Sequence, residues 1–140
     1  MCRPDVELRK DDVRKGSQNV NTILWVAQGL LAVLFLFSGL MKSTQSEEKL
    51  VASGQTGVAG LPRPLIRFIG ISEILGAGGL VLPLLSNVMP ILTPLAAIGL
   101  GLIMILAALV HYSREEKRIA SQNLFILLVC LSVAYGRWRG

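Results

Sequence analysis

Reactive side chains are scarce in this chain. Its 140 residues include one histidine, His111, and two cysteines, Cys2 and Cys130. Thiol-redox membrane enzymes of four-helix type need a reactive cysteine pair, and these two cysteines make no Cys-x-x-Cys motif. Bis-histidine haem is excluded by the histidine count, because it needs two axial imidazoles. One His, one Glu and one Asn fall below the usual ligand set, so no metal is expected. A glycine-rich nucleotide loop is missing too.

Charge is scarce in a second, positional sense. The chain carries 14 Lys and Arg and 9 Asp and Glu, yet only Arg67 and Glu73 lie clearly inside its apolar blocks. Those blocks run over 22–41, 65–85, 93–112 and 119–136, each near the roughly 20 residues that cross about 30 Å of hydrocarbon. The expectation is an all-α integral membrane protein, an antiparallel four-helix bundle over 21–140. Residues 1–20, charged and without apolar periodicity, read as a disordered cytoplasmic tail. Block 22–41 is longer than a signal-peptide core and is read as a retained first span. Cys2, with no apolar segment before it, is not a lipoprotein anchor.

Basic residues next to the first span set the orientation. Arg3, Arg9, Lys10, Arg14 and Lys15 precede it and only Lys42 and Lys49 closely follow, so both termini are placed in the cytoplasm. The Lys and Arg of the whole chain balance across the two sides, so this expectation rests on the first span. The net basic charge reads as interfacial anchoring, not nucleic-acid binding. Between spans two and three, Thr93-Pro94 resembles a helix N-cap followed by proline. Between spans one and two, 47–52 is a candidate short interfacial helix ahead of a glycine-rich stretch, and a connection of that length usually covers something.

At heptad spacing every span has one small or polar stripe. The stripes are Gln28, Ala32, Phe35, Gly39, Lys42; Gly70, Glu73, Ala77, Leu80, Leu84; Ala97, Gly101, Met104, Ala108, His111; and Asn123, Leu127, Cys130, Ala134, Arg137. These are the expected inward faces, with branched residues left to lipid. Cys130 is then inert core. Lys42, Arg67, His111 and Asn123 fall near the outer face, and Glu73 lies about 12 Å below it at the helical rise. A carboxylate at that depth costs several kcal/mol unless protonated or paired. Arg67 is about 120° round the helix from Glu73, so the expected partners are His111, Asn123 or Lys42. Lys42 and Arg67 are also close enough to the headgroups to snorkel.

Several short motifs then fall into a familiar order. They are Phe37-Ser38-Gly39-Leu40-Met41-Lys42, Arg67-x-x-Gly70-x-x-Glu73-x-x-Gly76, Thr93-Pro94-Leu95-Ala96-Ala97, His111, Asn123 and Ala134-Tyr135-Gly136-Arg137-Trp138. From about Leu24 to Trp138 the chain resembles the DoxX family, in its short DoxX-like branch. The resemblance implies a bacterial inner-membrane protein. The family takes its name from a membrane subunit associated with thiosulfate:quinone oxidoreductase, and members are linked with thiol-stress systems. A eukaryotic relative with a similar Lys and Gly-x-x-Glu is an assembly chaperone for receptors, so the scaffold hosts unlike functions.

Three functions stay open. One is a redox-system membrane subunit that binds a quinone or similar amphiphile, with Glu73, His111, Arg67, Asn123 and Lys42 as ligand or proton-relay candidates and a membrane or peripheral redox protein as partner. Another is a non-catalytic assembly factor that binds other transmembrane helices. The third is small-solute or proton transport, for which four spans without an internal repeat would require a homo-oligomer.

Overall fold

The computed structural model describes residues 4–140, with side chains from Val6 onward; Cys2 and Arg3 lie outside the described residues. The described residues form an all-α molecule: α1 (Pro4–Thr44), α2 (Glu47–Ala52), a 3₁₀ turn (Thr56–Val58), α3 (Arg63–Leu85), α4 (Leu92–Ser113) and α5 (Lys117–Arg139). The four long helices are long and apolar enough to cross a membrane. They alternate in direction and form a bundle. Its loop end carries residues 45–62 and the α4–α5 turn; its terminal end carries the α3–α4 turn and the C-terminus.

Helix α1 corrects one expectation. Residues expected to be disordered continue the first span as helix back to Pro4. The reason lies in charge spacing: Glu7 and Lys10, Asp11 and Arg14, and Asp11 and Lys15 sit three or four apart, where opposite charges favour helix. Pro4 falls in the first turn, where its missing N–H costs nothing. Side chains from Val6 to Ile23 are nevertheless exposed, so packing begins at Leu24.

The α3–α4 connection differs in detail as well. Asn87 adopts a left-handed φ of 54°, and Val88 N–H donates to Pro83 O at 3.1 Å, the bond of a Schellman cap. Helix α4 starts at Leu92, so Thr93 lies inside it and does not cap it. Thr93 Oγ1 is buried without a hydrogen-bond partner.

Every residue of the four predicted stripes is buried or half-buried. Leu31, Leu100 and Val133 complete a core with Phe35, Leu80, Ala97, Met104 and Cys130. Leu30, Leu75, Leu106 and Leu128 stay exposed and face where lipid would be.

The bundle is built as two tight helix pairs. Helix α1 packs most extensively on α3, and α4 on α5; of the neighbouring long helices, α1 and α5 have the smallest contact. Within the first pair, a Cβ on Gly39 would sit 2.5 Å from Gly70 O, and one on Gly70 would sit 2.8 Å from Gly39 O and from Lys42 Cβ. Only glycine allows that approach. The pairs join at the terminal end, where Gly76 receives Leu100, Gly79 meets Ala96 and Gly136 receives Leu24.

Candidate functional site

At the loop end the two pairs part around a cavity of about 320 Å³. Its walls come from all four long helices, and its roof from Gly54, Gln55, Gly57, Val58 and Leu61. The roof has its own small core, Leu50, Val58 and Ile66.

On the α1–α3 wall, Lys42 turns inward. Its Nζ donates to Glu73 Oε1 at 2.6 Å and to Ser38 Oγ at 3.0 Å. Glu73 is completely buried and the Lys42 side chain is 13 % exposed. The Gly39–Gly70 contact, one turn from these residues on each helix, makes the reach short enough. Of the partners expected for Glu73, Lys42 is the one the fold supplies, and it does not snorkel. Pairing two desolvated charges offsets much of the cost of burying either. Glu73 Oε2 remains buried and unpartnered, and Glu73 contributes to the cavity wall.

On the α4–α5 wall, His111 is buried, 6 % exposed. Its Nδ1 lies 2.5 Å from Glu116 Oε2. A carboxylate only accepts, so Nδ1 carries the hydrogen and Nε2 is left for other contacts. Glu116 Oε2 also accepts from Thr56 Oγ1 at 2.9 Å. These bonds, His111 first and Thr56 second, hold the Glu116 carboxyl below its ordinary value. Arg114 donates to Thr56 O at 2.5 Å and to Ala59 O at 2.6 Å. The roof is therefore latched to the α4–α5 turn. Gly57 fits against His111, since a Cβ there would sit 2.8 Å from Nε2.

Asn123 is half-buried in the same cavity wall, and its side chain makes no hydrogen bond among the described residues. Arg67 is exposed and forms no part of the cavity. Four of the five candidates thus meet at one cavity, and Arg67 does not. Sequence reading missed Glu116, Thr56, Arg114 and Gly57. The only available signal was Glu116 five residues after His111, and it becomes a pair only once the turn geometry is known.

A second polar cluster lies at the terminal end. Arg137 Nε donates to Gln28 Oε1 at 2.6 Å and Nη1 to Asn21 Oδ1 at 2.6 Å. Gln28 in turn donates to Leu80 O, and the guanidinium stacks 5.1 Å from the Trp25 ring centre. This clasp ties α5 to α1.

The sequence profile of the DoxX-like family matches residues 26–134. The chain belongs to the DoxX-like family. No curated protein and no solved structure matches the chain. The family match covers every cavity residue, whereas Asn21 and Arg137 of the terminal clasp lie outside it. Among the described residues no group of three or more His, Cys, Asp and Glu side chains forms a metal site.

Proposed function

We propose that this DoxX-like protein is the membrane subunit of a redox system and binds the head of a quinone in the loop-end cavity. The observation that carries the reading is Glu73 Oε2, an unpartnered oxygen on a fully buried carboxylate in the wall of a cavity. A buried acceptor without a donor needs an explanation. A quinol hydroxyl is a donor of suitable chemistry.

The other wall residues suit the oxidised head. Lys42 uses two of its three N–H groups on Glu73 and Ser38, which leaves one for a quinone carbonyl. Asn123 and His111 line the far wall. Reduction of a quinone to a quinol takes two electrons and two protons. The buried Lys42–Glu73 pair and the His111–Glu116 pair are positioned to hold and pass the protons, and a partner redox protein supplies the electrons.

Both termini are cytoplasmic in this reading, which puts the cavity in the outer half of a bacterial inner membrane. A reporter fused after Gly140 reads cytoplasmic; a periplasmic readout reverses the sidedness.

Binding tests the site. The full chain in lipid nanodiscs is titrated with a benzoquinol, alongside Glu73→Gln. The variant keeps the volume but loses the charge, and binding is expected to weaken about tenfold or more at unchanged membrane abundance. Equal binding removes Glu73 from the site. Absence of binding to the unsubstituted protein overturns the quinone reading and leaves the assembly-factor function.

A further inference from the structure

We infer that the ligand enters and sits sideways: its polar head occupies the cavity while an apolar chain leaves through the gap between α1 and α5 into the bilayer. This deepens the quinone-site reading and rests on it. The ligand class becomes a quinone bearing one long apolar chain, taken from the membrane and not from water.

Three observations carry the inference. The first is volume. At about 320 Å³ the cavity lies at the small end of ligand sites, which run from roughly 300 to 1,000 Å³. It accommodates one substituted ring and leaves no room for a chain as well.

The second is the way α1 and α5 are joined. Leu24 against Gly136, and Arg137 against Asn21, Trp25 and Gln28, are all ties at the terminal end. At the loop end the same helices face one another across the cavity, with Leu34 and Ser38 on one wall and Ile119, Asn123 and Ile126 on the other. Leu34 is 43 % exposed on the outside of the bundle while lining the cavity within, so it marks the rim of an apolar gap. A gap rimmed by leucine accepts a hydrocarbon chain at no desolvation cost in lipid.

The third is the roof. Residues 54–61 roof the water side, and Arg114 and the His111–Glu116–Thr56 chain hold them down. The lateral gap has no such latch.

Entry kinetics distinguish the routes. The full chain in nanodiscs is mixed with a decyl-substituted benzoquinone, and separately with the chain-less benzoquinone, in wild type and in Leu34→Trp, Leu106→Trp and Arg114→Ala. Leu106 lines the cavity from α4 and is 64 % exposed, so Leu106→Trp tests a competing lateral route on the α4 side. The expected result is that Leu34→Trp slows entry of the decyl probe about tenfold, as a bulky rim would. Leu106→Trp and Arg114→Ala leave that entry unchanged, and the chain-less probe binds Leu34→Trp as it binds wild type. Slowing by Leu106→Trp alone, faster entry with Arg114→Ala, or no effect of Leu34→Trp overturns the lateral route while the site reading survives. If Leu34→Trp loses both probes, Leu34→Ala decides: faster entry of the decyl probe supports the route and unchanged entry overturns it. Failure of wild type to bind either probe overturns the site reading and the inference together.

Discussion

The two halves of the bundle use the same four helices to opposite ends. At the terminal end, glycines face leucine or alanine side chains across the two helix pairs, and a single polar clasp, Arg137 with Gln28 and Asn21, is spent on holding α5 against α1. At the loop end the two helix pairs part, and polar groups pair within each of them: Lys42 with Glu73 on one side, His111 with Glu116 on the other. An intramembrane charge can thus serve either to close helices together or to line a space between them. Which it does depends on whether its partner is across the gap or beside it.

The largest effect is expected at Glu73. Glu73→Leu leaves the Lys42 ammonium buried with neither a counter-charge nor an acceptor, a loss of about 3–5 kcal/mol, and membrane abundance should fall sharply. Glu73→Gln keeps a hydrogen-bond acceptor for Lys42 and should lower abundance little. A fall in abundance equal to that of Leu would mean the charge itself holds the fold.

Next in size is the contact that brings Lys42 to Glu73. Gly39→Ala puts a Cβ 2.5 Å from Gly70 O, so α1 and α3 must part. A cost of about 1–3 kcal/mol is expected, read as a lower unfolding temperature in detergent. Gly99→Ala, where no atom lies within 4 Å of the added Cβ, should not lower that temperature.

In the other half, Arg137→Ala removes the clasp at a cost of about 1.5–3 kcal/mol. It should loosen α5 against α1 without changing quinone binding. Loss of binding at unchanged abundance would show that the halves are not separable.

The smallest effect concerns the roof. Glu116 is held below its ordinary carboxyl value of 4.5, so its contribution is present at neutral pH and is lost as pH falls through the folded-state value, below 4.5. Amide exchange over 54–61 should therefore stay slow from neutral pH down to about 4.5, relative to intrinsic rates, and rise only below that. Glu116→Gln should abolish the pH step.

Much of this division was legible in the residues themselves. Gly70, Glu73, Ala77 and Leu80 recur at the spacing of one helix face, and a stripe of small and polar residues at that spacing marks the face that packs against other helices, so the packed faces and the four spans followed. Lys42 could not be chosen over His111 or Asn123 as the partner of Glu73, because that depends on the Gly39–Gly70 approach, which is a property of two helices together. Arg67 resembled a site residue by depth alone, yet its angular position turns it outward. The latch from His111 to Glu116 and Thr56 joins segments about sixty residues apart and has no local pattern. The helix over residues 4–22 was hidden because it buries nothing, and periodicity reads burial.

The most direct test is an experimental structure of the full chain prepared from its native membrane with its lipids retained. Non-protein density is expected in the loop-end cavity, with a polar head within hydrogen-bonding distance of Glu73 Oε2 and a chain running out past Leu34, and no such density in the terminal half. A collapsed loop end, dry and with Glu73 Oε2 paired to a protein donor, would contradict it.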